Sequence, residues 1–285
     1  MTPTFTYNDA LTLALRGHSL NVVDARLLLQ HVTGASAAQI IAYPGREVGA
    51  IDQMRFESLV ERRAGGEPIA YLVGYREFYS RSFRVNRNVL IPRPETEGLI
   101  DAALTRLPFD GAPEIVDLGT GSGCVGITLA LEQPNARVLA IDTSADAIEV
   151  ARANALALDC RNIDFVIGDW LAGIDGRRLA LIVANPPYIA ADDMHLEQGD
   201  LRFEPKLALT PGADGLAAIR TIIAQAPSAL ADSGWLILEH GFDQGALVRE
   251  LLSADGFTDT FTERDLAGHE RTTGARWMRR RLTRR

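Results

Sequence analysis

The sequence contains little cysteine, almost no lysine and no long apolar stretch. Its two cysteines, Cys124 and Cys160, are far apart and form no metal-ligand spacing, which fits the reducing cytosol. No apolar run reaches the roughly 18 residues that a membrane-spanning helix needs. The N-terminal stretch MTPTFTYNDA lacks the basic and apolar regions of a signal peptide. We therefore expect a cytoplasmic protein without a membrane anchor or a bound metal.

The balance of charge argues against a protein whose main task is to bind nucleic acid. Acidic residues outnumber basic ones by 37 to 29, which gives a net charge of −8. Lys206 is the only lysine, so nearly all positive charge is arginine. Arginines concentrate at the C-terminus, from Arg276 to Arg285, where we expect a solvated tail. A contact with an acidic partner or RNA is the alternative.

The first 74 residues predict a small helical bundle. The predicted helices are one capped by Asn8, one that begins after Asn21 and ends at Gly34, one over residues 36–43 and one over residues 52–63. In the last of these, Met54, Phe56, Leu59 and Val60 lie on or near one face. A chain of 285 residues has room for this bundle and one larger α/β domain.

Residues 75–92 predict a β-hairpin that links two domains. Phe78, Phe83 and Val85 occur at strand spacing, and residues 80–82 are the predicted turn. The prolines of IPRPETE then predict an extended segment. Its Glu95, Thr96 and Glu97 can close over a bound ligand or form a surface turn.

From Pro113 onward, strands and helices alternate, which predicts a largely parallel sheet with helices on both faces. The predicted strands are 114–118, 137–141, 163–167, 179–183, 235–238, 257–261 and 275–278. The predicted helices are 124–131, 145–158, 216–230 and 244–252. This pattern is typical of the α/β fold class.

A glycine-rich turn, DLGTGSG, begins at Asp117 and ends at Gly123, between a predicted strand and a predicted helix. Glycines at such a turn let a ligand approach the backbone closely and permit positive φ. The sequence GSGCVG, which begins at Gly121, also matches the dinucleotide fingerprint G-x-G-x-x-G. The turn therefore indicates a nucleotide-like ligand without identifying it.

Acidic residues follow the next two strands. Asp142 can accept hydrogen bonds from both hydroxyls of an unphosphorylated ribose, whereas Ser144 is available to cap the following helix. Asp169 can accept the amino group of adenine while Trp170 packs on the purine. A helix-capping Asp142 and a core Trp170 are the alternatives.

The loop NPPY, residues 185–188, directly follows an apolar strand and is predicted to face the same crevice. Its two prolines fix φ and contribute no N–H groups, so the loop offers rigid acceptors. The Asn185 side-chain oxygen and the Pro186 carbonyl can accept both hydrogens of a planar –NH2 group, and Tyr188 can pack against its flat face. This geometry predicts methyl transfer from a sulfonium to an amide nitrogen, without a metal or a covalent nucleophile.

With these motifs, the chain resembles the release factor glutamine methyltransferases. The resemblance covers nearly the whole chain and is carried by the segments GEPIAYLVGYREFYSRSFRV, VLIPRPETE, DLGTGSG, IDTSADAIEVARANA, NPPYI, RFEPKLALTPGADGL and EHGFDQ. It implies a class I methyltransferase domain over residues 93–285, with a Rossmann-like seven-stranded sheet, behind the small N-terminal helical domain.

The resemblance also implies a reaction and a set of site residues. The family methylates N5 of the glutamine in the Gly-Gly-Gln motif of class 1 peptide chain release factors, using S-adenosyl-L-methionine. Cofactor binding would fall to Gly119, Thr120, Gly121, Ser122, Gly123, Asp142, Trp170 and Asn185, to which we add Asp169. Asn185, Pro186, Pro187 and Tyr188 would hold the glutamine, with Asn185, Pro186 and Tyr188 as catalytic residues. The helical domain would help to dock the release factor, and we expect a monomer.

Other functions explain part of the pattern. A glutamine methyltransferase that acts on a ribosomal protein shares NPPY, although the PETE after Arg93 favours release factors. An adenine-N6 methyltransferase also handles a planar –NH2 group, but usually needs a basic groove. An NAD-dependent oxidoreductase leaves NPPY unexplained, and a non-catalytic adapter leaves Asn185 unexplained. Beside the crevice, His240 is interpreted as structural, whereas Glu239 either ionises toward the cofactor or ends its strand.

Overall fold

A computed structural model describes residues 4–107, 111–174, 176–197, 199–212 and 214–279. These residues form two compact units, one of residues 4–75 with 199–203 and one of residues 76–197 with 204–279. No helix in the described part of the chain is long and apolar enough to cross a membrane. Most of the predicted arginine tail, residues 280–285, lies outside the described residues.

The first unit is helical. Its α-helices are α1 (Tyr7–Thr12), which a π-helical turn (Leu13–Gly17) continues, α2 (Val22–Thr33), α3 (Ala37–Ala42), α4 (Ala50–Ala64) and α5 (Ile69–Val73). Leu28 and Leu29 of α2 pack with Phe56 and Val60 of α4 in a buried core. The sequence prediction of a helical bundle is confirmed, with α5 as an additional helix.

The N-terminal helix begins earlier than predicted. Thr6 caps α1 because its hydroxyl accepts a hydrogen bond from Asp9 N at 3.3 Å, and the Asp9 carboxylate accepts one from Thr6 N at 3.0 Å. The prediction of Asn8 as the cap is therefore wrong. The bounds of α2 are confirmed, since Asn21 caps it and Gly34 ends it with φ of 66°.

The apolar face of α4 is narrower than predicted. Phe56 and Val60 are fully buried, but Met54 is 64% exposed. Residues four apart share one face of a helix, whereas Met54 precedes Phe56 by two positions and points away from that face. The placement of Met54 on the buried face is therefore wrong.

The hairpin has four residues in each strand, β1 (Tyr75–Phe78) and β2 (Arg81–Arg84). Its turn is formed by Tyr79 and Ser80, which have φ of 49° and 58°, rather than by residues 80–82 as predicted. Two positive φ values match the twist of the paired strands. Phe78 and Phe83 are buried in the core of the second unit, with ring centroids 6.0 Å apart.

The prediction of an extended IPRPETE segment is wrong for its second half. Pro94–Thr96 forms a 3₁₀ turn, and helix α6 (Glu97–Arg106) follows at once. Proline is favoured in the first turn of a helix because its missing N–H would have no partner there, and its φ already suits a helix. The second proline thus begins a helix instead of prolonging the extended chain.

The second unit is built on a seven-stranded sheet, as the resemblance implied. Its strands are β3 (Glu114–Leu118), β4 (Arg137–Asp142), β5 (Ile163–Ile167), β6 (Leu179–Ala184), β7 (Leu230–Glu239), β8 (Thr258–Arg264) and β9 (Glu270–Arg276). Their order is β5-β4-β3-β6-β7-β9-β8. β9 is antiparallel to both β7 and β8, and the other pairs of neighbouring strands are parallel. The α/β prediction is confirmed, although β7 and β9 begin earlier than predicted.

The helices of this unit that follow α6 alternate with the strands. They are α7 (Cys124–Glu132), α8 (Ala145–Ala157), α9 (Lys206–Leu209), α10 (Ala217–Ala229) and α11 (Gly245–Ala254). Two apolar clusters pack against the sheet, one with Ile219 of α10 and the other with Ile127 of α7. The pairing between strands brings their C-terminal ends to the same level. Asp142 of β4 pairs with Ile167 of β5, and Leu118 of β3 pairs with Ile141 of β4 and with Ala184 of β6. Ala184 in turn pairs with Leu238 of β7. The loops after these five strands therefore leave from one edge of the sheet.

Packing of the antiparallel edge can be tested at Gly274 in β9. A Cβ atom there would lie 2.6 Å from the Phe261 ring and 3.0 Å from Ile237. We expect Gly274→Ala to lower the free energy of unfolding by about 1–3 kcal/mol, because overpacking strains the core. Urea denaturation measures the change. The control is Gly98→Ala in α6, where a Cβ meets no atom within 4 Å, and it should be neutral or up to about 1 kcal/mol stabilising. Equal effects of the two substitutions would contradict this account of the packing.

Candidate functional site

The glycine turn after β3 has the conformation that its sequence predicts. Gly119, Gly121 and Gly123 have φ of 67°, 55° and 81°, values that side chains with a Cβ rarely adopt. At Gly123, a Cβ would also lie 2.7 Å from Ile127 Cδ1 and 3.1 Å from Ala151. The turn therefore requires glycine both for its backbone conformation and for its close packing against α7 and α8.

A buried carboxylate forms hydrogen bonds with this turn and with the helix that follows it. Asp117, at the end of β3, accepts hydrogen bonds from Thr120 Oγ1 at 2.5 Å and from Gly126 N at 2.9 Å. Burial raises the pKa of Asp117 to about 6, although these two hydrogen bonds lower it. Asp117 is thus a structural acceptor that orients Thr120 and the start of α7.

Asp142 links the turn to the next strand. One of its carboxylate oxygens accepts from Gly121 N at 2.9 Å, and the other accepts from Ser144 N at 2.9 Å. Ser144 caps α8 by accepting from Ala147 N at 3.2 Å, as predicted, so Asp142 is not needed for that cap. Each carboxylate oxygen can accept more than one hydrogen bond, which leaves acceptor capacity for ligand hydroxyls.

Asp169 and Trp170 follow β5, the edge strand next to the strand that carries Asp142. Trp170 is half-buried against the apolar core and has φ of 49°, an uncommon conformation for a large side chain. Its ring lies 3.5 Å from where a Gly119 Cβ would be, whereas Asp169 is exposed. Functional residues are frequently held in such sparsely populated conformations.

These strand ends enclose a cleft. Its main cavity, of about 210 Å³, is lined by Gly119, Gly121, Asp142, Asp169, Trp170, Asn185 and Pro187, together with Asn88, Val89, Leu90, Pro205, Leu207 and Ala208. A smaller cavity of about 40 Å³ shares Gly119, Gly121 and Asn185 and is also lined by Thr96, Thr120 and Ser122. Most of the predicted cofactor residues thus meet in one place, and Gly123 supports the turn behind them.

The NPPY loop joins this cleft through two of its four residues. Asn185 and Pro187 line the main cavity, while Pro186 is buried. The Tyr188 carbonyl accepts from Gln244 Nε2 at 3.0 Å and would lie only 2.3 Å from a Cβ at Gly215. The loop is therefore fixed by a hydrogen bond from the residue that precedes α11 and by close packing against Gly215, which precedes α10.

The hydroxyl of Tyr188 has a specific partner within the protein. It donates to Glu239 Oε1 at 3.2 Å. Burial raises the pKa of Tyr188, and the charge of Glu239 raises it further, so its hydroxyl stays protonated as a donor. Packing of the Tyr188 ring against a substrate amide stays a prediction.

Two further acceptors, Thr96 and Glu239, were candidates in the sequence without an assigned role in the site. Thr96, which is buried, accepts from Asn185 Nδ2 at 3.1 Å, although the two are 89 residues apart. Glu239 is fully buried at the end of β7, and its Oε2 has no hydrogen-bond partner among the described residues. Glu97, which follows Thr96 in the sequence, has a different partner, since its carboxylate accepts a hydrogen bond from Tyr79 N at 2.8 Å.

A second buried acid, Glu204, supports the wall of the cleft. It forms an ion pair with Arg93 and accepts from Ile91 N at 3.1 Å. This pairing fixes residues 91–93, beside the cavity-lining Leu90, to the segment that supplies Pro205. No local pattern connects positions 93 and 204, so sequence spacing could not reveal the pair.

His240 was interpreted as structural, and both of its ring nitrogens contact groups within the protein. Its Nδ1 lies 2.8 Å from Gly241 O, and its Nε2 lies 2.8 Å from Thr273 Oγ1. Burial lowers the pKa of this fully buried imidazole, which favours its neutral form. Within the described residues, no group of three or more His, Cys, Asp or Glu side chains is arranged to hold a metal ion.

Two solved structures share the fold of this chain. A ribosomal protein L11 methylase from Lactobacillus delbrueckii subsp. bulgaricus aligns with a TM-score of 0.50 at 20% identity, over 72% of this chain and 91% of that one. A methyltransferase from Pyrococcus furiosus aligns with a TM-score of 0.52 at 12% identity, over 80% of this chain and 98% of that one. At such low identity, these likenesses establish the fold alone.

Family models and curated relatives are more specific. Residues 10–74 match the PrmC N-terminal domain, and residues 101–200 match the methyltransferase small domain. A release factor glutamine methyltransferase from Neisseria gonorrhoeae is 49% identical over 90% of this chain and 94% of its own length. One from Burkholderia pseudomallei is 48% identical over 92% and 94%. At this identity over nearly full length, the chain belongs to the release factor glutamine methyltransferase family.

Proposed function

We propose that this enzyme transfers a methyl group from S-adenosyl-L-methionine to N5 of the glutamine in the Gly-Gly-Gln motif of class 1 release factors. The observation that carries the proposal is the position of Asn185, which lines both cavities of the cleft beside the glycine turn. A side chain there can contact a cofactor and a substrate amide at once. The near-full-length relatives named for this activity support the choice of substrate.

The residues of the cleft fit this cofactor. Asp142 has acceptor capacity for the two ribose hydroxyls, and a 2′-phosphate there would be repelled by its charge. Trp170 offers an apolar face for adenine beside the exposed Asp169 carboxylate. The smaller cavity, with Thr96, Thr120 and Ser122, suits the amino-acid portion of the cofactor. An unphosphorylated adenosine with a polar extension is therefore the ligand that matches the donors and acceptors present.

The cofactor supplies an electrophilic methyl group on a sulfonium. The protein must orient an amide nitrogen, which is a weak nucleophile because its lone pair is delocalised. Acceptors at Asn185 and the Pro186 carbonyl would hold both N–H bonds and favour loss of conjugation as the new N–C bond forms. They would also stabilise the positive charge that develops on nitrogen as its lone pair forms the N–C bond and the methyl–sulfur bond breaks, leaving that bonding pair on a neutral thioether. The methylated nitrogen would then release one proton to solvent.

The remaining expectations concern the partners and the site of action. We infer that the helical unit contributes to docking the release factor, and that the protein acts as a cytoplasmic monomer without a nucleic-acid substrate. The net charge of −8 supports the absence of nucleic-acid binding. Size-exclusion chromatography with light scattering checks the monomer.

The direct test is incubation with labelled S-adenosylmethionine and a purified class 1 release factor, followed by mass mapping. We expect one methyl group on the glutamine of Gly-Gly-Gln. A release factor with that glutamine replaced by alanine is the control and should take up no label. Methylation of a ribosomal protein or of adenine in nucleic acid, with none on the release factor, would overturn the proposal.

Replacement of Asn185 should impair the transfer step. We expect Asn185→Ala to lower kcat by about 10²–10³-fold, as loss of one positioned group in a transition state does. Cofactor Kd should change by less than about tenfold. Single-turnover assays and calorimetry measure the two quantities. Asn135→Ala, at an exposed turn before β4, is the control. Normal turnover by Asn185→Ala would exclude the proposed role.

Replacement of Asp142 should act on cofactor binding instead. Hydrogen bonds to a charged acceptor contribute about 1.5–3 kcal/mol, so we expect Asp142→Ala to raise the cofactor Kd by about 10- to 100-fold. Calorimetry with S-adenosylmethionine measures this change. Asp164→Ala removes the same charge from an exposed position of β5 and should leave Kd unchanged. If the two variants bind the cofactor equally well, Asp142 does not hold the ribose.

A further inference from the structure

We propose that Thr96 and Glu239 are positioning residues that fix the Asn185 carboxamide with its oxygen free to accept the substrate amide. This inference rests on the proposed function and extends it to two side chains outside the NPPY loop. Its basis is a set of four polar side chains in and beside the loop. Asn185 is hydrogen-bonded to Thr96 and Tyr188 to Glu239, and both Thr96 and Glu239 are buried.

The direction of the hydrogen bonds sets the orientation of Asn185. A carboxamide has a donating and an accepting end, and the amide nitrogen of Asn185 donates to Thr96 Oγ1 at 3.1 Å. The hydroxyl of Thr96 accepts this bond and still has its own hydrogen to donate to another acceptor. With the nitrogen bound to Thr96, the oxygen of Asn185 is the end left for the substrate.

Glu239 is the buried carboxylate acceptor among these four side chains. Its carboxylate is fully buried, and its Oε1 accepts from the Tyr188 hydroxyl at 3.2 Å. Its Oε2 has no partner that meets hydrogen-bond geometry among the described residues, yet Thr96 is near enough to lower the pKa of Glu239. A buried acceptor without a full set of donors orients nearby hydroxyls strongly. The Tyr188 hydroxyl is therefore directed toward it, and the Thr96 hydroxyl lies close enough to lower its pKa.

The surroundings of Glu239 place its pKa in a range where a change of pH near neutrality changes its charge. Burial raises its pKa to about 7, the hydroxyls of Thr96 and Tyr188 and the charge of Arg271 lower it, and Glu95 raises it. Cys124 also faces this carboxylate, but burial raises the pKa of its thiol to about 12, so it stays neutral. As pH falls through about 7, Glu239 takes up a proton and becomes a weaker acceptor.

The first test compares two substitutions of Thr96. We expect Thr96→Val to lower kcat by about 10- to 100-fold, the effect of removing a buried partner from a hydrogen-bonded group. Thr96→Ser keeps the hydroxyl and should stay within about threefold of the wild-type kcat. Because Thr96 lines the smaller cavity, cofactor Kd in both variants should change by a smaller factor than kcat changes in Thr96→Val. The control is Thr128→Val in α7, which removes a buried hydroxyl that has no partner among the described residues. Unchanged kcat in Thr96→Val, or a loss confined to cofactor Kd, would overturn the proposal.

A double-mutant cycle tests whether Thr96 acts through Asn185. In the Asn185→Ala background, Thr96→Val should cause no further loss beyond about twofold in single-turnover rate, because the group that it positions is gone. An additional loss as large as that in the wild-type background would mean that Thr96 acts independently, which contradicts the inference.

Glu239→Gln separates positioning from stability. The pKa of Glu239 is raised above its ordinary value of 4.5, so its contribution to stability is full below about 4.5 and is lost as pH rises toward 7. At pH 8 the variant should therefore have a Tm at least equal to wild type, while kcat falls about tenfold or more. Its kcat should also lack the fall near pH 7 that we expect of wild type, leaving only the titration of Asp117 near 6.

These outcomes distinguish the proposed function from the positioning role. If wild type does not methylate the release factor glutamine, the proposed function fails. If wild type methylates it and Glu239→Gln has wild-type kcat and pH profile, only the positioning role fails. Should Thr96→Val not fold, Thr96→Ser and Glu239→Gln decide the question on their own.

Discussion

The parallel register between β4, β3 and β6 is the constraint on which the site depends. Because Leu118 lies opposite both Ile141 and Ala184, the glycine turn, Asp142 and Asn185 begin at the same level of the sheet. A slip of one residue in either pairing would turn the apolar side chains of a strand to the wrong face. The same backbone hydrogen bonds that stabilise the core therefore position the groups that bind ligands.

Buried acids then hold the loops that leave this edge. Asp117 supports the glycine turn, Glu204 supports the segment around Arg93, and Glu239 accepts from Tyr188 of the NPPY loop. A buried carboxylate is costly unless it is paired or hydrogen-bonded, so each one requires its partners to keep their positions. The fold thus uses desolvated charge to make loops rigid at the place where catalysis needs rigid groups.

The sequence predicted best those features that depend on local pattern. The bounds of β3 and β5, the Asn21 cap of α2 and the Ser144 cap of α8 follow from alternation and capping chemistry. Helix α6 was missed because the prolines of IPRPETE are as typical of an extended segment as of the first turn of a helix. The contact between Thr96 and Asn185 joins residues 89 apart, and only the folded sheet brings them together. Such tertiary pairs leave no periodic signal in the chain.

The two contacts of Asp142 have an evolutionary consequence. The same carboxylate binds Gly121 N within the turn and has capacity left for a ribose. A mutation that adapted the cleft to a phosphorylated nucleoside would have to remove this charge, and the turn would lose its anchor in the same step. Selection for a new ligand and selection for an intact backbone therefore oppose each other at one position, which restricts the routes by which this scaffold can change its specificity.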